Sequence, residues 1–201
     1  VGIEPVPKTK FGIYLDGQFA FVLSKSQLSS CHLKDGEAVT EDQIETILSE
    51  IVLKRAKRKA MSLLQSMDRT ESELRDRLLR QDFPEETVDQ AVRYVKSFGY
   101  VDDKRYAESF ILSRKGRKSR REIYAELSGK KIDGEIVDEM MERCYEESDS
   151  GEALRHLLRK KHYDPSRASV EEKQKLYAYL ARKGFSYGEI KKALNLEFPE
   201  D

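Results

Sequence analysis

The side chains that could do chemistry fall into four groups. Asp102 and Asp103 stand side by side, as a general acid–base couple or a pair of metal ligands would. No third acid or histidine joins them at ligand spacing, so the expected role is a helix N-cap plus a negative charge at the positive end of the helix dipole. Cys31 and Cys144 make no disulfide framework, and His32, His156 and His162 form no zinc-ligand spacing with them. Gly116-Arg117-Lys118-Ser119 has the residue types of a phosphate loop. It lacks the upstream glycine, the Gly-Lys-Ser/Thr order and the preceding strand that such a loop requires. No nucleophile elbow, zincin motif or dinucleotide fingerprint occurs. The expectation is a non-enzyme with no catalytic residue, cofactor or metal.

The fourth group is basic, and it carries the functional signal. Lys+Arg and Asp+Glu are 37 each in 201 residues, so the formal net charge is zero. That disfavours an indiscriminate polyanion binder. Windowed, the chain is polarised: −4 over residues 1–50, +5 over 51–67, −2 over 68–99, +5 over 100–121, −7 over 122–150 and +3 over 151–201. Two blocks stand out, Lys54-Arg55-Ala56-Lys57-Arg58-Lys59 and Arg114-Lys115-Gly116-Arg117-Lys118-Ser119-Arg120-Arg121. For the first, a solvated helix face is at least as good a reading as contact with a partner. The second crowds six cations between one helix end and the next helix start. Complementing a helix dipole accounts for two or three of them, and mutual repulsion opposes the rest. Arg114, Lys115, Arg117, Lys118, Arg120 and Arg121 are therefore the candidate contacts to an anionic partner, with phosphate and carboxylate both open as the counter-charge.

The elements that must position these groups are mostly helical, since Gly (11) and Pro (5) are scarce. The first segment is the exception. Phe11–Leu15 and Gln18–Leu23 flank Asp16-Gly17, which predicts a two-residue hairpin turn. Simple alternation places Phe11, Ile13, Leu15, Ala20 and Val22 on one face, with Tyr14, Phe19 and Phe21 on the other. Two apolar faces call for a third strand or a covering helix. Leu33-Lys34-Asp35-Gly36 reads as a turn. Thr40-Glu41-Asp42-Gln43 has capping-box form and opens a helix, or two abutting ones, over about 41–67.

An internal repeat follows. Thr70 and Ser119 each begin a capping-box sequence, Thr70-x-x-Glu73 and Ser119-x-x-Glu122. Counted from them, apolar residues coincide at six offsets: Leu74, Leu78, Phe83, Val88, Ala91 and Val92 match Ile123, Leu127, Ile132, Val137, Met140 and Met141. A third copy counted from Glu172 gives Leu176, Leu180, Phe185, Ile190, Ala193 and Leu194. Each copy is two helices preceded by another, at residues 55–67, about 103–115 and about 151–162. The unit is thus three helices, used three times, with an insert at 162–167 in the last. Tyr106 and Phe110, four apart on one helix, are expected in a core and not as a base-stacking platform.

The run Gly99-Tyr100-x-Asp102-Asp103-x-Arg105-Tyr106-Ala107-x-x-Phe110 resembles the signature of the bacterial RecX regulatory proteins. Thr70-x-x-Glu73-Leu74-x-x-x-Leu78 and Leu180-x-x-Lys183-Gly184-Phe185-Ser186 are similar to it as well. The resemblance covers roughly residues 55–197, and the hairpin extension looks like that of Gram-positive members. Gly129 and Gly116 depart from the pattern, because the glycines that members often carry around the middle repeat's second helix are displaced.

The resemblance implies a mainly α protein, an elongated curved array of three tandem three-helix repeats with a small N-terminal β extension. The expected divisions are 1–40 (β extension), 41–99 (long helix and repeat 1), 100–148 (repeat 2) and 149–201 (repeat 3). It also implies a protein that binds RecA filaments on DNA and inhibits their ATPase and strand exchange; a monomer is expected, and single- or double-stranded DNA stays open as a further partner. The two cysteines without a disulfide framework point to a reducing cytoplasm, and the lack of an apolar run long enough to span a bilayer to no membrane. Gly99, Tyr100, Asp102, Asp103, Arg105, Tyr106 and Phe110 would then be structural signature residues. The rival reading is a stand-alone DNA-binding helical module that acts without RecA.

Overall fold

The computed structural model describes residues 1–7 and 9–194. The C-terminal limits expected above, 197 for the resemblance and 201 for repeat 3, lie outside the described residues. The chain divides into two compact units, Val1–Asp102 and Asp103–Asp201.

In the first unit, β1 (Gly2–Val6), β2 (Lys10–Leu15) and β3 (Gln18–Ser24) form an antiparallel sheet in that order. Leu15 pairs with Gln18 across a two-residue turn whose Asp16 and Gly17 have φ of 48° and 79°, the left-handed pair that Asp-Gly supplies cheaply. The alternation expected along β3 is corrected by a register shift after Ile13, where Ala20 is the extra residue. Ile13 then opposes Phe21, Phe11 opposes Leu23 and Gly12 opposes Val22. A bulge exchanges the two faces of every residue beyond it. Phe21 and Leu23 therefore join Ile13 in the core, while Val22 moves to the face of Tyr14 and Phe19, whose rings meet edge-on at 5.7 Å.

Ser24 and Gln27 form a capping box that starts α1 (Lys25–Ser30). The turn at Asp35-Gly36 ties back to β1, with Ile3 N–H donating to Asp35 Oδ1 (2.8 Å) and Gly36 N–H to the Val1 carbonyl (2.9 Å). Thr40 and Gln43 cap α2 (Glu41–Ile47), which continues without a break through a π-helical stretch, Leu48–Leu53, into α3 (Lys54–Ser66). The helix pair α4 (Glu71–Leu79) and α5 (Glu85–Ser97) completes the unit, α4 opening on the Thr70–Glu73 capping box. Ala56 and Ala60 are wholly buried on α3, and their lack of bulk lets α3 approach α5 closely. They share one core with Ile13, Phe21, Leu23, Leu74, Leu78, Val88 and Val92.

The second unit contains α6 (Asp103–Leu112), α7 (Arg120–Gly129), α8 (Gly134–Cys144), α9 (Glu147–Lys160), α10 (Val170–Arg182) and α11 (Tyr187–Leu194). Of the repeat positions found by offset in all three copies, all but Leu176 and Ala193 are buried. The capping details differ between copies. Ser119 accepts from Glu122 N–H, but the Glu122 carboxylate turns to Lys118 and Lys183, so only half of the expected box forms. In the third copy the N-cap is Ser169, boxed with Glu172, so the cap of α10 lies three residues before the counting origin. Each copy ends its middle helix with a left-handed residue at one common offset: Asp82 (φ 62°), Lys131 (57°) and Gly184 (91°). Gly129, the displaced glycine, is the last residue of α7, and Lys131 takes the left-handed position.

Candidate partner-binding surface

The block 114–121 lies in the second unit, between the end of α6 and the first turn of α7. The chain winds through it on local bonds: Arg114 and Lys115 N–H donate to the Ile111 carbonyl (both 2.9 Å), and Arg117 N–H donates to that of Arg114 (2.9 Å). At Gly116 a Cβ would stand 3.1 Å from the Glu152 carboxyl carbon, the mobile end of a side chain on α9.

The six cations divide into two sets. Arg114 lays its guanidinium 3.6 Å over the centre of the Phe110 ring, with its Nε 3.6 Å from Glu126 Oε2. Lys118 pairs with Glu126 and stands 3.7 Å from Glu122. Lys115 Nζ is 3.2 Å from Oδ2 of Asp149, a buried carboxylate that also accepts from Glu146 N–H (2.8 Å). These three are half-buried, and their charges are spent on the fold. Arg117, Arg120 and Arg121 are exposed. Among the described residues Arg120 reaches only a carbonyl, that of Met141 at 3.5 Å, and no ion pair to a carboxylate holds any of the three. The outward cationic surface is therefore Arg117, Arg120 and Arg121.

That surface is held by contacts distant in sequence. Ser119 Oγ donates to the Lys183 carbonyl (2.5 Å), and Lys183 Nζ is 3.1 Å from Glu122 Oε1. The Glu122 hydrogen bond and charge raise the Lys183 pKa above its ordinary value, so the ammonium stays charged. Gly184 lies so close to α7 that a Cβ on it would be 2.9 Å from both Arg121 Cβ and Ser119 Oγ. The Tyr145 hydroxyl donates to the Lys118 carbonyl (3.1 Å), and burial of this phenol raises its pKa.

The signature run straddles the boundary between the units. In the first, Gly99 takes φ 69° and ends α5, with Tyr100 N–H donating to the Val95 carbonyl (3.1 Å). Tyr100 and Asp102 are exposed. In the second, α6 opens at Asp103, Arg105 is exposed, and Tyr106 and Phe110 stack at 6.1 Å against the α6–α8 core, with Lys130 Nζ 5.2 Å from the Tyr106 ring centre.

Two features lay beyond the sequence reading. Arg55 belongs to a block read as a solvated face, yet it turns inward. Its guanidinium donates to the Val22 carbonyl (2.7 Å) and to Gln27 Oε1 (3.1 Å) and lies 4.9 Å from the Phe83 ring centre, with its pKa lowered by burial. At the end of α5, the half-buried Tyr94 and the exposed Phe98 and Tyr100 form a run of rings; the aromatic spacing around Gly99 was the available signal. Among the described residues no group of three or more His, Cys, Asp or Glu could hold a metal ion, and no helix is long and apolar enough to cross a membrane.

With this geometry in place, comparison with known proteins is decisive. The first, second and third three-helix domains of RecX match residues 56–94, 102–141 and 147–194 respectively. A "Regulatory protein RecX" of Caldanaerobacter subterraneus subsp. tengcongensis is 33% identical over 195 residues, covering 96% of each chain. The chain belongs to the RecX family. That of Clostridium acetobutylicum is 28% identical, over 96% of this chain and 92% of its own. A crystal structure of a regulatory protein RecX superposes with a TM-score of 0.66 at 26% identity, covering 96% of both chains. RecX from Lactobacillus salivarius, at 24% identity and TM-score 0.62 over 72% of this chain, shares the fold. The three three-helix domains are thus shared with the family, this chain adds to them a small N-terminal sheet, and the relatives carry the name of regulators.

Proposed function

We propose that this protein binds RecA filaments on DNA and inhibits their ATPase and strand exchange, acting as a regulator and not as an enzyme. Membership of the RecX family, with three family domains between residues 56 and 194 and a relative aligned over 96% of the chain, is the observation that carries this reading. Arg117, Arg120 and Arg121 are the cations available to an anionic part of the filament, while Arg114, Lys115 and Lys118 hold the segment that presents them. The working segments are 1–40, 41–99, 100–148 and 149–201, a division supported by separate hydrophobic clusters in the second and third repeats.

The test is RecA ATPase and strand exchange on single-stranded DNA with the protein titrated in. Replacing Arg117, Arg120 and Arg121 together by Ala should weaken inhibition at least about tenfold while leaving the fold intact, the order expected for several desolvated charge contacts. Replacing Arg114, Lys115 and Lys118 should instead lower stability. Unchanged inhibition by the folded Arg117/Arg120/Arg121 variant would sink the assignment of these residues. Tight salt-dependent binding to free DNA with no effect on RecA would replace the whole reading by that of a stand-alone DNA-binding module.

A further inference from the structure

The first unit carries a second exposed surface, of different chemistry. At the end of α5, Tyr94 meets Phe98 edge-on at 5.0 Å, and Phe98 stacks on Tyr100 at 5.9 Å with 22° between the planes. Phe98 is 58% and Tyr100 51% exposed, unusual for two adjacent large rings. The cluster continues into a groove whose lining includes Glu50, Lys54, Lys57, Arg58, Met61 and Tyr94, and Lys57 Nζ lies 4.4 Å from the Tyr94 ring centre. Residues 51–67 contain five cations and no acid. Arg55 faces the core and Lys54 is engaged with Glu50, which leaves Lys57 and Arg58 to give the groove its outward positive charge.

We propose that this surface is a binding site for single-stranded nucleic acid, with bases stacked on Phe98 and Tyr100 and phosphates along Lys57 and Arg58. Open π-faces beside a cationic track are the two parts such recognition uses, and stacking tolerates any base. A duplex buries its base faces and cannot use the rings. An acidic peptide would use the cations and leave the rings unfilled. The site lies in a different unit from Arg117, Arg120 and Arg121, and it does not depend on the proposed action on RecA.

The chain contains no Trp, so Phe98→Trp places one fluorophore in the site while keeping a stacking ring. The full-length variant is titrated, without RecA, with oligothymidylate of about 15 nucleotides, with an abasic oligomer of the same length, and with oligoglutamate. The expected result is strong quenching by oligothymidylate and none by the other two. No quenching, or equal quenching by oligoglutamate or the abasic strand, overturns the proposal. So does an emission change that follows protein concentration alone, which would make the rings a contact between two copies. By anisotropy with labelled oligothymidylate, Phe98→Ala with Tyr100→Ala should weaken binding at least about tenfold at an unchanged salt slope. Lys57→Ala with Arg58→Ala should reduce that slope by about 0.7 per charge removed. Affinity retained by both pairs overturns it as well. Because RecA is absent, a negative result leaves the filament reading standing, and loss of RecA inhibition leaves this site standing.

Discussion

The contact of Gly184 with the start of α7 joins the third repeat to the basic segment of the second, and its strength can be measured. Gly184→Ala meets two costs. At φ 91° an L side chain is strained by about 1–2 kcal/mol. The new methyl would also stand 2.9 Å from Arg121 Cβ and Ser119 Oγ. Relieving that overlap shifts α7 or the loop at about 1–3 kcal/mol and weakens the Ser119 hydroxyl bond to the Lys183 carbonyl, worth about 1 kcal/mol. Alanine returns roughly 0.4–1 kcal/mol by stiffening the unfolded chain. The net loss should be about 2–4 kcal/mol, which at a urea slope of about 2 kcal/mol/M lowers the midpoint by roughly 1–2 M. Gly99→Ala is the control. Gly99 has φ 69° but nothing within 4 Å of an added Cβ, so only the conformational cost applies, about 1 kcal/mol after the entropic return. Urea unfolding followed by far-UV circular dichroism compares the two. Equal losses, or a Gly184→Ala loss under about 1 kcal/mol, would refute the close approach as a source of stability.

Two further outcomes concern side chains whose environment departs from their surroundings in sequence. Arg55→Met should cost about 1.5–3 kcal/mol in urea unfolding, because the Val22 carbonyl loses a charged donor, and Arg55→Lys should recover only part of it for lack of the planar fork. A loss below about 0.5 kcal/mol would mean that the inward arginine contributes packing alone. Glu189 offers a pH test: burial tends to raise its pKa, but hydrogen bonds from the Ser150 and Ser186 hydroxyls and the Ser186 N–H outweigh that and hold it below its ordinary 4.5. A carboxylate depressed in the folded state contributes stability above pH 4.5 and loses it as pH falls through the lower folded value. Stability measured from about pH 6 down to about pH 3 should therefore decline below 4.5 in the parent and be flatter there in Glu189→Gln. Parallel profiles would remove Glu189 from the acid response.

Much of the architecture was legible because it rests on neighbours in sequence. Asp16-Gly17 dictates its turn through its own φ angles, Thr40 and Thr70 cap helices whose N–H groups lie three residues on, and the apolar offsets mark one helix face in each repeat. The basic block was legible as a concentration of charge, but its division was not. Whether Arg114, Lys115 and Lys118 are free depends on Glu126 and Asp149, which reach them only once α7 and α9 are in place. Ser119 has the form of an ordinary capping box, yet the Lys183 carbonyl and ammonium take up its hydroxyl and its partner Glu122 from across the fold.

What the sequence determined by itself was therefore the repeat, most of its helix boundaries to within a turn (α9 starts four residues before the expected 151), the hairpin and the family. Those follow from backbone preferences and apolar spacing that act over a few residues. Tertiary structure alone decided which side chains of β3 join Ile13 in the core, through the bulge at Ala20, which cations remain outward, and that Phe98 and Tyr100 stay exposed instead of entering a core. Each of these is a choice between partners far apart in the chain. Burial and charge pairing decide such choices, because a side chain's free energy depends on what surrounds it once the elements have packed.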